Sequence, residues 1–286
     1  MQLSLPASYA RQPQTIAQLT KGGLSNGLYE ATYVLPSGEP VSIQQGNKVL
    51  GPGQFTRLVS GSFPGIGYGG GPVGGGTGVT SSTANDGLFH RTNVGGPMAS
   101  SSFASECSLM VIISARTTPS FYDTGPYAAT GSFHELQFEI DGTAVGFWAR
   151  GSSAQQLTRA GTRFTGLNVP HTLIGRRSAV QNFHECFVDG GKVASNTYTN
   201  VGSATLLRHG FGGMYTAGVA VCGDTTIYLT AVWGRPLSDG EVAILSANPW
   251  AIFDMPSRPI LLNSVAAATK APPPFSRPLR FLRRAS

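Results

Sequence analysis

"RPLSDGEVAILSANPW", Arg235–Trp250, is the stretch on which the reading of the fold turns. It follows directly on "IYLTAVW" (227–233), an apolar run rich in β-branched and aromatic residues, which suit a strand. Ser238 stands three residues before Glu241, the spacing of a capping box. There the Ser oxygen accepts from the Glu backbone N–H and the Glu side chain reaches back. Asp239 and Glu241 put negative charge in the first turn, where it suits the positive helix end. Val242, Ile244 and Leu245 supply an apolar stripe. Pro249 stops the helix, and Asn248 sits in the extended region favoured before a proline. Two turns are too few to be stable alone. The spacing therefore predicts a short helix near 238–248 docked on a sheet, with Trp250 and Phe253 as anchors.

Outward from this point the chain reads as strands. "CSLMVIISA" (107–115) is a continuous apolar run, suited to a strand buried on both faces. "HELQFEID" (134–141) sets Leu136, Phe138 and Ile140 against Gln137, Glu139 and Asp141. Asp141-Gly142 then forms a tight turn into "AVGFWAR" (144–150). "HTLIGRR" (171–177) follows. "NFHECFVDGGKVAS" (182–195) carries Asp189-Gly190-Gly191 between two strand-like halves, the mark of a hairpin. Earlier, "LYEATYVL" (28–35), "VSIQQGNKVL" (41–50) and "FTRLVSG" (55–61) each read as one strand, and "YARQPQTIAQL" (9–19) as room for one helical turn. Short strands at such regular spacing, with turn residues between them, indicate an all-β antiparallel sandwich or jelly roll.

Composition bounds the rest. The 286 residues fit one large all-β domain with appendages. Only 12% are charged, about half the usual quarter. The 38 glycines and 19 prolines call for many turns. The net charge of +6 belongs to 255–286, where Arg258, Lys270, Arg277, Arg280, Arg283 and Arg284 face no acid. The expected organisation is an N-terminal arm (1–27), a sandwich (28–254) and a basic, proline-rich C-terminal arm (255–286). Cys107, Cys186 and Cys222 are too few for a disulfide framework and read as small buried hydrophobes. The start lacks the apolar core of a signal peptide, and no apolar run reaches the roughly 20 residues that span a bilayer.

The hairpin around Phe187, Val188, Asp189, Gly190 and Lys192, followed by Ile227, Val232, Arg235, Leu237, Ser238 and Glu241, resembles the laminin-G-like, concanavalin A-like family over 105–253. "ILSANPW" (244–250), "RPILLN" and "MQLSLPASYARQPQ" are similar to such proteins encoded by tailed bacteriophages. The resemblance implies a non-enzymatic structural protein of the virion: capsid-decorating, fibre or tail-associated. It would be a homo-oligomer or part of a symmetric assembly, with other virion proteins as partners and no membrane. The second reading is a carbohydrate-binding adhesin on the same fold. That needs an exposed aromatic with polar partners, for which Tyr122, Tyr127 and Trp148 are the candidates.

Other chemistry weighs less. Glucanases of this fold use Glu-x-Asp-x-x-Glu. "FEIDGTAV" supplies Glu139 and Asp141, but the third position is Ala144, and Glu135 lies at the wrong spacing. The Gly-rich tract "FPGIGYGGGPVGGGTG" (63–78) lacks the Lys of a phosphate loop and reads as a loop. His90, His134, His171, His184 and His209 show no metal-ligand spacing. Calcium occurs in some members of this fold, and Asp123, Asp141, Asp189 and Asp224 lie in turn-like contexts that leave it open, but none forms a dense acidic loop and no cofactor is assigned. In the C-terminal arm, Phe275, Arg277, Arg280, Phe281, Arg283 and Arg284 alternate apolar and basic groups. They read first as an arm docked on a neighbouring subunit, second as a solvated tail, and only third as a nucleic-acid contact.

Overall fold

The computed structural model describes residues 12–13, 15–35, 40–50, 56–58, 67–70, 77–81, 88–92, 105–115, 125–127, 135–141, 144–151, 153–161, 169–202, 208–211, 214–216, 219–221 and 225–254. The chain divides into two units, Met1–Met255 and Pro256–Ser286, and every described residue belongs to the first. The strands run β1 (Gln18–Leu19), β2 (Leu28–Val34), β3 (Pro40–Gln44), β4 (Lys48–Leu50), β5 (Thr56–Leu58), β6 (Gly67–Gly70), β7 (Thr77–Ser81), β8 (Leu88–Thr92), β9 (Glu106–Ala115) and β10 (Gly125–Tyr127). They continue as β11 (Glu135–Asp141), β12 (Ala144–Arg150), β13 (Gln155–Ala160), β14 (His171–Ser178), β15 (Phe183–Val188), β16 (Gly191–Asn196), β17 (Arg208–Phe211), β18 (Met214–Thr216), β19 (Val219–Val221), β20 (Thr225–Trp233) and β21 (Phe253–Asp254). Among the described residues the one α-helix is α1 (Asp239–Ala247). No helix there is long and apolar enough to cross a membrane.

Two antiparallel sheets make a β-sandwich. The larger has the order β16-β15-β14-β9-β20-β2-β3-β4, with β7 pairing on β20 and β6 on β7. The second has the order β13-β12-β11-β10-β17-β8-β5. Alternation decides what each strand offers. In β9, Leu109, Val111 and Ile113 join Leu136, Phe138, Ile140, Val145 and Phe147 of the second sheet in the sandwich core. Met110 and Ile112, on the other face of β9, join a second core outside the large sheet. The continuous apolar run is thus buried on both faces, as its sequence predicts.

The outer cover of the large sheet comes from residues 242–253. Val242 and Leu245 of α1, then Trp250, Ile252 and Phe253, pack on Tyr33, Ile43, Leu229 and Trp233. Burial of each such side chain contributes about 1.5–3 kcal/mol, more than the weak intrinsic stability of a two-turn helix. Tyr33 meets Phe253 edge-on at 5.0 Å between ring centroids. Its hydroxyl donates to the Thr15 carbonyl at 3.0 Å and accepts from the Ala17 N–H at 2.9 Å. The capping box is present: Glu241 N–H donates to Ser238 Oγ, and Ser238 N–H donates to Glu241 Oε2 at 2.8 Å. Arg176 of β14 fastens the helix start. It donates to the Leu237 carbonyl at 2.6 Å and pairs with Glu185 at 2.6 Å and Asp239 at 2.5 Å.

Several sequence expectations need correction. Ile244 is 51% exposed and takes no part in the stripe, because it points away from the sheet that holds Val242 and Leu245. Within 9–19 the described residues form no helical turn; Gln18–Leu19 pairs with Phe253–Asp254 and buries Ala17 and Leu19. "VSIQQGNKVL" is a hairpin instead of one strand, turned by Gly46 and Asn47 at positive φ. The Gly-rich tract is also more than a loop: β6 pairs with β7, and β7 extends the large sheet along β20. The Asp189-Gly190 hairpin has the expected turn, with φ of 49° and 82°, which two-residue hairpins require.

Candidate functional site

The second sheet buries one face of β11, β12 and β13 in the core. Its other face carries Gln137, Gly146, Trp148, Arg150, Leu157 and Arg159. Trp148 lies directly between Gln137 of β11 and Leu157 of β13. It is half-buried. Arg150 holds its guanidinium over the indole at 4.2 Å from the ring centroid. Gly146 lets Leu157 pack close beside it: a Cβ there would stand 2.7 Å from Leu157 Cδ1 and 3.6 Å from the Arg159 stem. Glu135 and Glu139 occupy register positions on the same face.

Gln137 is the unusual member. It is fully buried, and neither its amide nitrogen nor its amide oxygen has a hydrogen-bond partner. An amide in that state costs about 1–3 kcal/mol of desolvation. It sits at the opposed position to a half-buried tryptophan, which is the pairing of apolar platform and convergent polar group found in ligand sites.

The predicted site residues are distributed as follows. Trp148 is on this face. Tyr127 pairs through its backbone with Glu135, a register position of the same face. Tyr122 lies outside the described residues, as do Phe275, Arg277, Arg280, Phe281, Arg283 and Arg284. Gln137 was visible in the alternation of "HELQFEID" but is an ordinary polar residue there; only burial singles it out. Arg159 and Leu157 were missed because polar "QQLTRA" carries no strand signal of its own.

Among the described residues the other candidate chemistries do not assemble. Asp141 pairs with Ala144 across the hairpin, so the third position of the glucanase pattern falls on the neighbouring strand and has no carboxylate. Asp189 uses its carboxylate locally, with Oδ2 2.7 Å from His171 Nδ1 and Oδ1 accepting from the Thr172 N–H at 2.9 Å. Asp123, Asp224 and His134 lie outside the described residues. Among the described residues no three His, Cys, Asp or Glu side chains cluster as metal ligands would. Cys107 and Cys186 are fully buried, and burial pushes both thiols up to about 12, so neither is a nucleophile. His184 is buried too, and burial, then the charge of Arg177, holds its imidazole down to about 3.

No family model matches the chain. No curated protein matches it either. Solved structures do. Domain 4 of AbnA, an extracellular arabinanase of Geobacillus stearothermophilus solved with arabinotriose, matches at a TM-score of 0.56 and 14% identity over 77% of this chain and 99% of that domain. The binding domain of botulinum neurotoxin DC, solved in complex with SialylT, matches at 0.53 and 10% identity over 78% of this chain and 52% of that one. The binding domain of Paraclostridial Mosquitocidal Protein 1 matches at 0.58 and 10% identity, again over 78% and 52%. The chain thus spans about half the length of these toxin binding domains. At such identities the likeness concerns the fold, and the chain is an all-β antiparallel β-sandwich consistent with the concanavalin-like jelly roll.

Proposed function

We propose that this chain is a non-catalytic glycan-binding module whose ligand lies on the outer face of the second sheet, against Trp148. One observation carries the reading: a half-buried indole directly opposite a buried glutamine whose amide has no partner. A sugar offers the complement of both. Its C–H face covers apolar area on the indole, and its hydroxyls both donate and accept, as one amide requires. Arg150, stacked on the same indole, moves aside or turns its N–H groups to a ring hydroxyl. The sugar ligands of the AbnA domain and of the neurotoxin domain support this choice of ligand class. The carboxylate-free position at Ala144 supports binding without hydrolysis.

Glycan-array binding by the purified chain, compared with Trp148→Ala and Gln137→Leu, tests the proposal. Wild type retains a defined glycan, and Trp148→Ala weakens it at least about fivefold, roughly the 1–3 kcal/mol of a stacked aromatic anchor. Gln137→Leu abolishes binding while leaving stability unchanged or higher, since it removes an unpaired buried amide. An unbound array, or binding indifferent to both changes, refutes it. A place in a phage particle rests on the terminal resemblance, and detection of the chain in purified virions tests that separately.

A further inference from the structure

Residues 196–202 leave the end of β16 and run along one edge of the sandwich, where β16 ends the large sheet and β13 ends the second. Side chains and backbone of the β13 region strap them down. Gln156 holds them twice, donating to the Thr197 carbonyl at 2.6 Å and accepting from the Thr199 N–H at 2.9 Å. Asn196 Nδ2 donates to the Leu157 carbonyl at 3.2 Å and to Thr158 Oγ1 at 3.0 Å. The Val201 carbonyl accepts from the Ser153 and Ala154 N–H groups at 3.1 and 3.2 Å. A Cβ on Gly151 would run into that carbonyl. Yet Asn196, Thr197, Thr199 and Asn200 are exposed, Tyr198 is half-buried, and Val201 is the apolar side chain that this stretch buries fully. A segment held by hydrogen bonds with little apolar burial belongs to the low-stability end of a fold.

Beneath the strap two basic side chains lie side by side. Arg177 of β14 and His184 of β15 are register partners on the core-facing side, and both are fully buried. The strap covers Arg177: the guanidinium stands 4.7 Å over the Tyr198 ring, and Nη2 donates to the Thr199 carbonyl at 2.9 Å. His184 stacks on Phe147 at 4.8 Å. Its Nδ1 is 2.6 Å from Thr158 Oγ1, which also lies 3.1 Å from the His184 carbonyl. A neutral ring fits in either tautomer, because a hydroxyl both donates and accepts. A protonated ring adds a second buried cation beside Arg177, and its Nε2 has no hydrogen-bond partner among the described residues. Around the imidazole, Phe147 of β12, Thr158 of β13 and Asn196 of β16 carry no charge, and Arg177 is the cation that acts on it. Glu106, Cys107 and Tyr198 bear on Arg177.

We infer that residues 196–202 form an acid-released strap: a proton taken up by His184 beside Arg177 lifts the segment from β13 and lets the imidazole reach water. Closed, the site excludes the proton down to about 3; open, the ring takes it at the ordinary 6.5. Acid therefore favours the open state, and opening rises by up to roughly tenfold per pH unit below 6.5.

Hydrogen exchange on the full chain, corrected for the intrinsic pH dependence of amide exchange, tests this. The N–H groups of Thr199, Ser153 and Ala154 report the strap, and those of Met110 and Ile112 in the central strand β9 report global unfolding. Strap amides should open more readily than those of β9, and their opening should gain roughly a hundredfold at two pH units below 6.5. His184→Phe, which keeps a ring against Phe147, should remove that gain. Strap amides that open only together with β9, opening that ignores pH, or a gain that survives in folded His184→Phe overturns the inference. The first two readouts use the wild-type chain and stand even if His184→Phe fails to fold.

Discussion

Gly175→Ala probes the contact that makes the two sheets one sandwich. Gly175 faces the core from β14, and Phe147 of β12 lies flat against it. A Cβ there would stand 2.6 Å from Phe147 Cε2 and closer still to Cγ and Cδ2. Ordinary contact begins near 3.4 Å, so ring and strand must separate by roughly 0.8 Å or more. The ring has little freedom to retreat. It is held by His184 at 4.8 Å on one side and Phe138 at 5.4 Å on another. Overpacking by one methyl group costs about 1–3 kcal/mol where side chains can yield. Here the obstacle is a clamped ring, so we expect about 3 kcal/mol. At roughly 2–4 °C per kcal/mol for a domain of this size, Tm falls by roughly 6–12 °C. Urea denaturation of the single variants and of Gly175→Ala with Phe147→Leu measures the coupling. The double variant should be more stable than the sum of the single losses, because Leu vacates the space the methyl needs. A loss below about 1 kcal/mol for Gly175→Ala, or strict additivity in the double variant, would refute the face-to-face contact.

The remaining predictions concern titration and capping. His184 titrates at 6.5 when exposed and at about 3 in the fold, so between those values the unfolded chain binds a proton that the folded chain does not. Its contribution is fully present above 6.5 and is lost as pH falls toward 3, at about 1.4 kcal/mol per pH unit. His184→Phe should flatten that slope in urea titrations; an unchanged slope argues against a neutral buried imidazole. Glu241 is held down to about 2, first by the hydrogen bond from Arg235, so its stabilisation is present above 4.5 and disappears as pH drops to 2. Ser238→Ala removes the capping box and should cost about 1 kcal/mol by the same assay. No loss would mean that packing of Trp250 and Phe253 alone holds the helix.

How far the residues alone reach differs between fold and site. The strand-and-helix unit ending at Trp250 was legible because its signals are local. A capping Ser, a Glu three residues on and a proline stop act within one turn of chain. The Asp189-Gly190 hairpin was legible for the same reason, since two residues at positive φ select the turn. The hairpin inside 41–50 and the pairing of β6 with β7 were not, because glycine permits a strand and a loop equally and only a partner strand chooses.

By itself, then, the sequence determined the all-β class, the capped helix and its docking, and Trp148 as an aromatic worth weighing. Tertiary structure decided which polar residues matter. Gln137 looks ordinary in the chain. It becomes a candidate ligand contact because the fold buries it and leaves its amide unpaired. Hydrogen-bond satisfaction belongs to the packed neighbourhood, set by cross-strand register between segments far apart in the chain, and no local pattern of residue types encodes it.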